Sequence, residues 1–163
     1  MENAQVTFDS KEWENLFKRI GAKLDKVYPI LRTAFSVFGI KDIVQHFSDE
    51  QGDDGKWKPR SQYTNMIYDM ISSGKKSAPP GISSSAFRSS NKILQLTRAL
   101  RQSFIPANIQ QKGKSTLLFF SNIEYSGKHD RGEEGMPKRS FMWLSENAME
   151  YMSKYILDTV VED

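Results

Sequence analysis

Apolar side chains recur every third or fourth residue from Trp13 to Phe38, with Leu16, Phe17, Ile20, Leu24, Val27, Leu31, Ala34 and Phe35 between them. That spacing lines one face of a helix and predicts a long amphipathic N-terminal element. Asp9 with Glu12 three residues later offers a capping-box-like start, with Asp in place of the usual Ser or Thr. Pro29 falls inside the stripe, where it removes a backbone donor and crowds the preceding turn. A kink or break is therefore expected near Lys26–Tyr28. A second helical stretch should restart after Gly39 and run to about Phe47.

The pattern then breaks. Residues 48–60 hold two glycines, four acids and a proline, and predict a loop. Tyr63, Met66, Ile67, Met70 and Ile71 restore helical spacing over 62–72. Residues 73–90 carry Lys75, Lys76, Arg88, two prolines and seven serines, which reads as a flexible basic excursion. Ile93, Leu96, Leu100 and Phe104 suggest a helical turn or two, ended before Pro106. Residues 107–111 and 115–122 flank Lys112-Gly113-Lys114 and predict a β-hairpin turning at Gly113. Residues 124–135 are polar and glycine-rich. Leu144, Ala148, Tyr151, Met152, Tyr155 and Ile156 mark a C-terminal helix over 145–161, capped by Ser145. The sum is an α+β domain: a kinked N-terminal helical part (10–47), short helices, a small antiparallel hairpin and a terminal helix. No repeat is present, and 163 residues suit one domain over 1–163.

Composition changes the picture in two places. There is no cysteine, which removes disulfides, thiolate metal sites and cysteine nucleophiles. No apolar run approaches the roughly 20 residues of a membrane helix. Residues 1–10 lack a basic start and an apolar stretch, so no signal peptide is expected. The net charge of +3 hides an asymmetry. Residues 56–140 hold 15 Lys and Arg against 5 Asp and Glu, whereas the rest hold 8 against 15. Either the middle loops are basic and solvated, or a basic surface on one copy meets an acidic surface on the next.

Candidate chemistry is sparse. Asp49, Asp53 and Asp54 lack the alternating ligands and closing glutamate of a calcium loop. The two histidines are His46, at the end of the helical stripe and expected at a boundary, and His129, expected to fix its loop by a hydrogen bond. The His129-Asp130 pair would need further ligands to hold a hydrolytic metal. Neither a nucleophile elbow nor a phosphate loop is present. Scattered basic residues with Trp57, Tyr63, Phe87 and Tyr125 suit phosphate contact without sequence reading.

Three stretches occur in order. Phe47, an acidic run, Gly55, Trp57 and Pro59 form the first. The second holds Ile93, Leu94, Thr97, Leu100, Arg101 and Ser103. The third runs Tyr125, His129, Gly132, Pro137, Arg139, Phe141, Leu144 and Ser145. Together, over 47–145, they resemble the phage virion morphogenesis family, which includes tail completion proteins of tailed phages. This chain has one residue rather than two between Gly55 and Trp57. It also has Arg98 where that family carries glycine, Ser126 where it carries alanine, and a longer 73–90 loop.

The resemblance implies a non-enzymatic virion protein without a cofactor, made in the host cytoplasm. It would form a ring, a hexamer by family analogy, at the neck or tail end. Its partners would be copies of itself, tail tube or terminator proteins, connector proteins and the DNA passing through, with no membrane. Trp57, Arg98, Arg101, Tyr125, His129, Pro137, Arg139, Phe141 and Trp143 are the candidate interface residues. Pro137 and Arg139 would form a rigid arm presenting a guanidinium to a carboxylate, and the tryptophans would anchor. Core packing is the plainer account of Phe141 and Trp143, and a loop pair that of Tyr125 and His129. Lys75, Lys76 and Arg88 would touch a partner or DNA. A small DNA-binding accessory protein is the alternative function, and a hydrolase using His129-Asp130 a third.

Overall fold

From Val27 onward the N-terminal stripe folds as the spacing requires, with one departure in helix type. The computed structural model describes residues 5–7, 27–89, 92–113 and 116–162. Helix α1 (Val27–Ala34) passes through a π-helical segment, Phe35–Gly39, into α2 (Ile40–Asp49). Gly39 is therefore not a restart but part of one continuous helical run. The Ile40 N–H reaches back five residues to the Phe35 carbonyl. A Cβ on Gly39 would lie 2.7 Å from the Phe35 ring, so glycine lets that ring lie against the helix. Pro29 stands in the first turn of α1, where a missing N–H is tolerated. Of the break expected near Lys26–Tyr28, Val27 and Tyr28 are helical, while Lys26 and the stripe from Trp13 to Leu24 lie outside the described residues.

The predicted hairpin forms from β4 (Ile109–Lys112) and β5 (Thr116–Phe120), with Gly113 at φ 78°. A strand the sequence did not betray, β1 (Gln5–Thr7), pairs antiparallel on the other side of β5, pairing Val6 with Phe119. Leu117 and Phe119 are buried along β5, and Phe119 meets Phe35 edge-on at 5.0 Å. A second, two-stranded ladder, β2 (Gln51–Gly52) with β3 (Gly55–Lys56), turns the acidic loop back on itself.

Residues 62–72 form helix α3 (Gln62–Ser72), capped by Ser61, whose hydroxyl accepts the Thr64 N–H. The excursion after it is not wholly irregular, since α4 (Ser84–Ser89) packs back on α3. Tyr68 meets Phe87 at 5.0 Å, and Arg88 donates to the Ser72 carbonyl. Ile71 and Phe87 are buried here as a small cluster apart from the main core.

The helix expected over 93–104 shrinks to α5 (Ala99–Gln102). Leu94 and Arg98 both take left-handed φ, 57° and 59°, which no α-helix accommodates. The terminal helix, here α7 (Glu146–Glu162), buries Ala148, Met152, Ile156 and Val160 against α1 and the π segment. Ser145 caps it through the Ala148 N–H, while its own N–H and hydroxyl donate to Asp42 on α2. One core cluster runs from Val27 to Val160, with Phe35, Phe47, Phe119 and Phe141 fully buried in it. Each such ring contributes about 1.5–3 kcal/mol relative to exposure.

Candidate functional site

Residues 124–135 fold instead of looping. Tyr125 precedes the short helix α6 (Ser126–Arg131), which Gly132 ends at φ 75°. A Cβ there would lie 2.7 Å from the Lys138 nitrogen, so only glycine lets the returning chain pass this closely. The return strap is then pinned. The Arg139 N–H donates to the His129 carbonyl at 2.8 Å, and Asp130 accepts the Phe141 and Met142 N–H groups at 2.9 and 3.0 Å. On the far side Trp57 donates its indole N–H to the Ser140 carbonyl at 2.9 Å. Asp53 accepts the Ser140 hydroxyl and pairs with Lys138 at 3.0 Å. The Ser140 bond, more than the lysine, holds the Asp53 carboxyl below its ordinary value.

This construction separates the two halves of the His129-Asp130 pair. Asp130 is turned to the strap backbone, and burial raises its pKa against the pull of those two bonds. His129 lines a cleft instead. Among the described residues its Nδ1, which is buried, has no hydrogen-bond partner to fix the loop, and Tyr125 meets the ring edge-on at 5.8 Å. Burial, then the charge of Arg139, holds the imidazole below its ordinary pKa. Among the described residues no three His, Asp or Glu side chains gather to hold a metal.

The cleft, about 950 Å³, runs between the strap, the start of α3 and the turns at 93–97. Its apolar lining includes Ile82, Ile93, Leu94, Leu96, Ile123 and Met136. Its charged lining consists of Lys58, Arg60 and Arg139, with no carboxylate among the lining residues. Arg60 lies over the Tyr68 ring, 4.5 Å from its centre.

Four of the expected interface residues, Tyr125, His129, Pro137 and Arg139, meet at this cleft. The others do not. Trp57 is buried against Phe47, and Phe141 is fully buried between Phe47, Trp57 and Phe104, so both are core residues rather than partner anchors. Arg139 does not present its guanidinium outward. It is 7% exposed and donates to the Lys58 and Pro59 carbonyls at the cleft wall. Trp143 lies flat on His46, rings 4.1 Å apart, and His46 is buried rather than at a boundary, donating from Nδ1 to the Phe141 carbonyl. Arg98 is exposed and Arg101 half-buried, and neither side chain is among the residues lining the cleft. Lys75, Lys76 and Arg88 sit exposed beyond the end of α3. Sequence reasoning missed Lys58, Arg60 and Tyr68, although a cation on each side of Pro59, just ahead of a helix cap, was a usable signal.

Compared with protein-family models, with curated proteins and with solved structures, the chain matches none.

Proposed function

We propose that this chain is a structural protein of a tailed-phage particle, assembling into a ring at the neck or tail end to complete the tail and join it to the head. The three motif stretches support the phage assignment, and one structural detail agrees with their alignment. Arg98 stands where the family carries glycine, and its φ of 59° is the left-handed conformation that glycine adopts without strain.

The observation that carries the ring is a pair of unlike exposed faces. On α7, Tyr151 is 59% exposed beside exposed Glu146, Glu150, Lys154 and Asp158, a net acidic surface. On α3, Tyr63 is 68% and Met66 48% exposed, with Lys75, Lys76 and Arg88 nearby and one acid, Asp69. Unlike faces that complement each other make a head-to-tail contact, and such contacts form a ring where the rotation between copies closes and a filament where it does not. Partly apolar, oppositely charged patches suit this join.

The absence of native cysteine makes the contact testable. A chain carrying both Met66→Cys and Asn147→Cys, treated with a short bis-maleimide cross-linker, should give a ladder of covalent oligomers on denaturing gels. Each single variant alone should stay monomeric, and their mixture should stop at dimers. Dimers from one single variant alone would show a symmetric contact instead, and an unlinked double variant at high concentration would remove the ring.

A further inference from the structure

We propose that the cleft beside the strap is a carboxylate-recognition site that takes an acidic segment of a protein partner, one with an apolar side chain next to an Asp or Glu. The identity of the partner as another particle protein rests on the reading above; the recognition chemistry rests on the cleft alone.

Arg139 is a nearly buried cation without a counter-ion among the described residues. Its Nε and one Nη donate to the Lys58 and Pro59 carbonyls at 3.2 and 3.5 Å, and no acid forms an ion pair with it. A guanidinium has five N–H donors in a fixed fork, so most of that fork is still open to an acceptor. Glu50 attracts it from farther off, but the Glu50 carboxylate already accepts the Ile93 N–H at 2.5 Å. Burial and the neighbouring charge of Arg60 both work against the charged form of Arg139. Arg139 carries the open fork at a cleft whose described lining residues include no carboxylate, so an entering anion is favoured there, and a bidentate carboxylate suits the fork. The buried, unpartnered Nδ1 of His129 supplies one more polar atom at the same wall.

The apolar lining decides which anion. Ile93, Leu94, Ile123 and Met136 offer an apolar surface that a phosphate backbone has no group to fill, whereas a peptide places an aliphatic side chain there beside its carboxylate. Nucleic acid would instead call for a row of cations along an open groove.

Two histidines in the whole chain make the measurement simple. The full-length protein with labelled histidine is titrated with an N-acetylated, C-amidated hexapeptide of alternating leucine and aspartate, followed by NMR of the imidazole signals. The His129 signal should shift and saturate while that of buried His46 stays in place. The peptide with asparagine for aspartate should leave both unmoved. Arg139→Gln and Arg60→Gln should each weaken binding about tenfold, as expected when a charge-assisted bond is lost. Should Arg139→Gln lose the fold, seen as a changed His46 signal, Arg60→Gln reads the same site. Three results would overturn the proposal: no saturable shift at His129, equal binding of the asparagine peptide, or saturation at lower concentration by inorganic phosphate or a short DNA duplex. None of them bears on the oligomer ladder, so the cleft and the ring can fail separately.

Discussion

Replacing Phe141 with alanine should lower stability by about 3–5 kcal/mol, the range for losing a fully buried aromatic ring. The ring is wholly enclosed and touches Phe47, Trp57 and Phe104. A domain of this size loses roughly 2–4 °C of Tm per kcal/mol, so a fall of the order of 10 °C is expected by thermal circular dichroism. A residue whose role was to grip a neighbour would behave differently, leaving the Tm of the isolated chain alone and weakening assembly. A Tm unchanged within about 2 °C would return Phe141 to the interface.

The second large effect belongs to Asp130. Asp130→Ala strands the Phe141 and Met142 N–H groups at the strap, and an unsatisfied buried donor costs about 1–3 kcal/mol. A loss of about 2–5 kcal/mol by urea unfolding is expected for the pair. Asp130→Asn keeps a carbonyl oxygen for both bonds and removes the desolvated charge, so it should stay within about 1 kcal/mol of the parent at neutral pH. The pH dependence has a defined sign. Burial raises the folded-state pKa of Asp130 above its ordinary 3.8. Its protonation therefore favours the folded chain. The contribution is absent above the raised value, grows as pH falls through it, and is complete below 3.8. The parent should thus gain stability relative to Asp130→Asn as the solution is acidified, and a parent that lost stability relative to the variant with acid would refute the burial account.

His129 has the opposite dependence. Its folded pKa is lowered, chiefly by burial. Its contribution is present above its ordinary 6.5 and is lost as pH falls from there through the lowered value. Between them the adjacent residues give the strap two titrations of opposite sign.

The legible parts of this fold were those written in spacing. The stripes of α3 and α7 and the Gly113 hairpin could be read directly, because burial on one face imposes a period. Seeing through Gly39 needed knowledge of Phe35, since a glycine in a helix reads as a stop unless a ring fills its place. The helix expected over 93–104 failed for a conformational reason: Leu94 and Arg98 are held left-handed, which apolar spacing cannot reveal. Strand β1 depends on a partner more than a hundred residues away, and α6 on a strap that Asp130 pins from below.

The site shows the same division. Tyr125, His129, Pro137 and Arg139 were legible together because they lie close along the chain and converge on one wall. Lys58, Arg60 and Tyr68 reach the same cleft through tertiary packing, and the two cations around Pro59 were the one local sign of them. Trp57 and Phe141 show how an enriched residue type misleads. Aromatic side chains serve interfaces and cores equally well, and only the surroundings tell which.

On the function proposed above, this chain joins parts of a phage particle through protein contacts. Electron micrographs of particles produced without it test this most directly. The account predicts DNA-filled heads lying apart from finished tails, with joining restored when purified protein is added back. Intact, joined particles in normal numbers would contradict it.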